Sequence, residues 1–183
     1  MKNITWIAII VLLLFIVAGA AYYNLNLTIS AKIKEAGFSK RDIIAEEGYS
    51  LDADRITKVF LLADAEKLGI IGITSRGFGT WKNQGMDSIL ENPGLHAFVA
   101  SSFAIMKNLA NNLYTEKHVF VAGYIESQPN QIIAGNSDFY LNVDYFTHNG
   151  KTLLYGHAIA GKNKSSFGSD EVIQYIQSKL GGR

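Results

Sequence analysis

Residues 138–160 read DFYLNVDYFTHNGKTLLYGHAIA, two alternating apolar runs on either side of Asn149-Gly150. Asn-Gly between such runs is the strongest short hairpin signal, because a tight type I′ turn needs φ > 0 at both central positions. A two-residue turn sets His148 opposite Lys151 and fixes every later pair. One face then holds Phe139, Leu141, Val143 and Tyr145 against Ala160, Ala158, Gly156 and Leu154. That face is apolar throughout and should meet helices; a slip of one residue would turn it outward, so the register is well specified.

The other face sets Tyr140, Asn142, Asp144 and Phe146 against Ile159, His157, Tyr155 and Leu153. A polar centre is framed by aromatic and aliphatic residues, with Asn142 opposite His157 and Asp144 diagonal to it. This face is the expected partner-binding surface. The plainer alternative is a solvated sheet face carrying incidental aromatics.

Working outward, further strands are expected over 118–126 and 131–134. Upstream, Asn92 as N-cap and Pro93 at the first helical position predict a long helix over 92–114. Leu95, Phe98, Val99, Ser102, Phe103, Met106, Leu109, Ala110 and Leu113 would form its apolar stripe. Ser169 followed by an amphipathic run to Leu180 predicts a closing helix. Residues 70–74 read as a strand, residues 56–63 as a buried strand or a helix start, and Ser39–Asp42 as a short helical opening. Strict alternation from Leu25 to Ile33 predicts a half-buried strand. The fold class expected is α+β, a mainly antiparallel sheet packed on the long helix and the C-terminal helix.

At the N-terminus, Ile4–Tyr23 is a run of 20 residues without a charge. As a helix it would be about 30 Å long, the thickness of a bilayer's hydrocarbon core. Trp6 near one end, and Tyr22 and Tyr23 at the other, suit the headgroup level. Residues 1–23 therefore read as a transmembrane anchor and 24–183 as one extracytoplasmic domain. A signal peptide cleaved after Ala20, releasing a secreted domain, is the alternative. Lys2 and the α-amine favour a cytoplasmic N-terminus, whereas Lys32, Lys34, Lys40 and Arg41 favour the reverse.

A formal net charge of +1 supplies no basic field for nucleic acid, and the absence of cysteine removes disulfides and thiolate chemistry. The four histidines, His96, His118, His148 and His157, show no metal-ligand spacing, and Asp52 and Asp54 lack the rest of a calcium loop. The glycine-rich loop 75–82 offers Arg76, Trp81 and Lys82 to an anion or a ring, but matches no phosphate-binding motif. No nucleophile elbow occurs. No catalytic residue, metal or cofactor is expected.

These readings converge on a membrane-anchored, non-catalytic accessory or assembly subunit of a cell-envelope complex, binding a protein or lipid-linked partner. Two alternatives belong to other classes. One is a small-molecule or lipid carrier with a pocket lined by Phe98, Phe103, Met106, Phe120 and Tyr124. The other is an envelope enzyme using Asp144 and His157 as an acid–base pair.

Overall fold

A computed structural model describes residues 2–50, 56–75, 80–83, 87–109, 112–129, 133–160 and 167–181. Helix α1 (Lys2–Asn26) leads into α2 (Ile29–Glu35) and a 3-10 turn (Lys40–Asp42). Five strands follow: β1 (Ile43–Ser50), β2 (Ile56–Ala63), β3 (Lys67–Ser75), β4 (Trp81–Asn83) and β5 (Ser88–Glu91). Four longer ones come next, β6 (Phe98–Leu109), β7 (Asn112–Ile125), β8 (Phe139–His148) and β9 (Lys151–Ala160), before α3 (Ser169–Leu180).

The strands make two antiparallel sheets, one ordered β1-β2-β3-β4 with β5 also on β3, the other β6-β7-β9-β8. Three apolar clusters order the layers. Ile33 and Phe38 pack with Phe60, Leu62, Ile71 and Ile73 on the outer face of the first sheet. Val59, Leu61, Ile70, Phe103, Phe120 and Tyr155 fill the space between the sheets. Val121, Phe139, Leu141, Val172 and Ile176 join the second sheet to α3. The architecture is thus α/β/β/α, with the centre of each sheet covered on both faces.

The last hairpin forms as the dipeptide dictates. Asn149 and Gly150 have φ of 50° and 71°, and His148 pairs with Lys151 and Asn142 with His157. The apolar face meets α3, whose buried residues are Val172 and Ile176. Its N-cap is Gly168 rather than Ser169.

The helix expected over 92–114 is not formed: β5 ends at Glu91, Asn92 turns at φ 48°, and β6 begins at Phe98. The physical reason is burial on both faces. Val99, Ser101 and Phe103 point between the sheets while Phe98 and Ala100 pack towards α3, so the strand loses alternation and imitates a helical stripe. The sheet therefore packs on a second sheet, not on a long helix.

The strand expected over 25–33 is also replaced. Thr28 accepts a hydrogen bond from Ala31 N–H at 3.1 Å as the N-cap of α2, and Ile33 is fully buried against the sheet. Spacing of four between Ile29 and Ile33 prevailed over alternation, since one turn of helix presents both to the same surface. At 131–134, Ile133 and Ala134 belong to no strand, and 131 and 132 lie outside the described residues. Residues 56–63 settle as strand, and 70–74 lie within β3.

Candidate functional site

Two buried histidines and the polar side chains around them meet between the sheets. On the inward face of β1 stand Ala45, Glu47 and Tyr49; on β7, His118, Phe120 and Tyr124; on β9, Leu153, Tyr155 and His157. Phe120 pairs with His157 in the ladder, which sets His118 diagonal to it. The two imidazoles lie 20° from parallel, with His118 Nδ1 and His157 Nε2 2.8 Å apart. Phe120 stacks on His157 at 4.3 Å between centroids.

Each outer ring nitrogen meets a glutamate. His118 Nε2 is 2.9 Å from Glu116 Oε2, and His157 Nδ1 is 3.2 Å from Glu47 Oε2. Tyr49 Oη donates to Glu47 and lies 3.2 Å from His157 Nδ1. The result is a continuous array, Glu47–His157–His118–Glu116, with buried imidazoles at its centre and half-buried carboxylates at its ends.

Burial opposes ionisation of Glu47, but hydrogen bonds to His157 and Tyr49, the charge of the His157 side chain and the Tyr155 hydroxyl outweigh it. Its pKa is held below the ordinary 4.5. An ionised Glu47 accepts the Tyr49 hydroxyl hydrogen bond, so His157 Nδ1 faces two oxygen acceptors, Glu47 Oε2 and Tyr49 Oη, and carries the ring hydrogen in that arrangement. With that tautomer His157 Nε2 accepts from His118 Nδ1–H, and His118 Nε2 faces the Glu116 carboxylate.

Tyr49 and Tyr155 are both pushed far up, first by burial and then by Glu47. Both remain protonated phenols. Tyr155 Oη is buried with no partner at full hydrogen-bond geometry, and it interacts with the Glu47 carboxylate only at longer range.

This arrangement divides the surface expected from the hairpin. Leu153, Tyr155 and His157 are turned inward, with Tyr155 2 % and His157 8 % exposed, so they present nothing to a partner. Phe146 packs against the inter-sheet core. Tyr140, at 57 %, Asn142 and Asp144 remain exposed, and Ile159 is half-buried. These exposed residues stand on β8, the edge strand of its sheet.

Both ring nitrogens of His157 are engaged by Glu47, Tyr49 and His118, so Asp144 is not its acid–base partner. The expected carrier pocket is divided too. Phe103, Phe120 and Tyr124 belong to the core between the sheets and Phe98 to the α3 side; the Met106 side chain lies outside the described residues. Trp81 packs on the outer cluster under the Lys58 ammonium, 5.8 Å from its centroid, and Lys82 is exposed; Arg76, Asp52 and Asp54 lie outside the described residues.

Sequence reasoning missed the array because its members come from three strands. His118 sits on an alternating strand with Phe120, Ala122 and Tyr124, and that pattern marks a histidine on a buried face. Nothing local pairs it with Glu47. Compared with protein families, curated proteins and solved structures, the chain matches none.

Proposed function

We propose that the protein is a membrane-anchored, non-catalytic accessory domain of the cell envelope, with α1 in the bilayer and the rim of β8 offered to a protein or lipid-linked partner. The observation that carries this is the nine-residue run Ile9–Val17, apolar at every position and 43–73 % exposed. At 100° per residue, nine positions cover every side of a helix, so no single packing face can bury them. Lipid can.

Among the described residues, no single helix is long and apolar enough to cross a membrane; the bent pair Ile9–Asn24 and Ile29–Glu35, 59° apart, meets that condition together. Helix α1 itself runs 25 residues from Lys2, and Tyr22 and Tyr23 stand near its C-terminal end. The Trp6 side chain lies outside the described residues. Trp81 N–H donates to Leu27 O at 2.9 Å, which ties the end of α1 to the sandwich without a flexible stalk. A short tether of this kind confines the domain to one height and raises its effective concentration towards membrane neighbours. Lys2 favours a cytoplasmic N-terminus, and because a long C-terminal domain translocates largely regardless of the charges at Lys32, Lys34, Lys40 and Arg41, the sandwich lies outside in this reading.

The full-length chain should stay with membranes through alkaline carbonate washing and retain Met1 by intact mass. Recovery in the soluble fraction would remove the anchor, and a mature chain starting at Ala21 would make α1 a signal peptide. Cross-linking in the same membranes tests the surface. Asp144→Lys with Tyr140→Ala should lose a cross-linked neighbour that the unaltered chain captures, at equal abundance. An unchanged cross-linking pattern would discard β8 as the docking rim.

A further inference from the structure

We propose that the concavity between α2 and the 3-10 turn binds the phosphate-bearing headgroup of an anionic lipid. The proposal rests on the membrane reading above and names a ligand for the membrane-facing end of the domain. The concavity has a volume of about 540 Å³ and is lined by Ser30, Lys34, Gly37, Phe38, Ser39, Lys40 and Asp42. That volume falls in the range of small-ligand sites, roughly 300–1,000 Å³.

Its chemistry suits a phosphate monoanion or diester. Lys34 and Lys40 are exposed and have no carboxylate partner among the described residues, and the adjoining Arg41 has none either. The neighbouring acids are occupied. Asp42 Oδ2 accepts the Ser39 backbone N–H at 2.6 Å, and Glu35 is paired with Lys32 at 2.7 Å. Ser39 Oγ accepts from Arg41 N–H at 3.3 Å, which leaves its own proton to donate outward. Ser30 supplies a second hydroxyl on the same helix flank as Lys34.

Height decides the source of the anion. Because α2 bends 59° away from α1, it advances only about 0.8 Å per residue along the α1 axis. From Ile29 to Lys34 the chain therefore rises about 4 Å, less than the roughly 5–7 Å depth of a headgroup layer. A lysine side chain at that height reaches phosphates at the bilayer surface, not bulk solution. Each such cation favours an anionic surface by about fivefold.

The test uses the full chain in nanodiscs of phosphatidylcholine containing a minor fraction of phosphatidylglycerol, with retained lipid counted by native mass spectrometry. The unaltered chain should enrich phosphatidylglycerol, and Lys34→Gln with Lys40→Gln should reduce that preference by about 25-fold. A distant change, Lys179→Gln, should leave it intact, and flotation with vesicles should be the same for all three. If the chain floats but shows no preference for phosphatidylglycerol, the site is overturned and the anchor stands. If it does not float, both readings fall. Saturable binding of inorganic phosphate that Lys34→Gln and Lys40→Gln abolish, without lipid preference, would reassign the concavity to a soluble anion and overturn the lipid assignment.

Discussion

Tyr155 brings a hydroxyl into the inter-sheet core with no acceptor at full hydrogen-bond geometry, the Glu47 carboxylate acting on it only at longer range, while its ring packs on Phe120 at 6.2 Å. A buried donor without a partner costs about 1–3 kcal/mol, so Tyr155→Phe should be neutral or stabilising by up to about that much. Chemical denaturation of the two proteins in matched membrane mimetics measures it; a loss above about 1 kcal/mol would show that the hydroxyl is bonded in solution. Glu47 behaves in the opposite sense. Its folded pKa lies below 4.5, so its contribution is fully present above that value and is lost as pH falls through the folded pKa. Glu47→Gln should be less stable at neutral pH and should flatten the decline in stability below pH 4.5. An acid limb of unchanged slope would mean that Glu47 is not held ionised by His157 and Tyr49. Neither residue could be singled out beforehand: Tyr155 looked like part of an outer face, and Glu47 is one of two adjacent glutamates. Their partners stand on β1, β7 and β9, and only strand order joins them.

Elements show where pattern reading works and where it fails. The β8–β9 hairpin was legible because its turn chemistry and its two faces demand the same register. β6 was not, because covering on both faces leaves a strand without alternation, and Asn92-Pro93 supplied a convincing but false helix start. α2 was misread because five alternating apolar residues suit a strand, yet the cap at Thr28 and the Ile29–Ile33 spacing suit a surface that needs one short helix. β3 and β6 meet at a close approach that only glycine permits. A Cβ on Gly72 would fall within the ring of Phe103, which is almost completely buried and cannot swing away. Gly72→Val should cost about 1–3 kcal/mol or more by overpacking, and Phe103→Leu in the same chain should recover part of it. Denaturant midpoints of the single and double variants decide this; additive losses would separate the two positions.

For the molecule as a whole, the antiparallel strands and the closing helix expected from the sequence already implied an α+β class, the apolar N-terminal run implied a continuous hydrophobic helix, and the Asn-Gly dipeptide implied the pairing of the last two strands. Those features are local: a turn, a period and a length each act within a few residues, and nearby sequence is enough to express them. The second sheet, the inward turn of Tyr155 and His157, and the side-chain array from Glu47 to Glu116 depended on which faces came together. That choice is made by burial, which sums over residues far apart in the chain. Only the tertiary structure decides it, because the same strand pattern is satisfied by water, by a helix or by another sheet until one of them is in place.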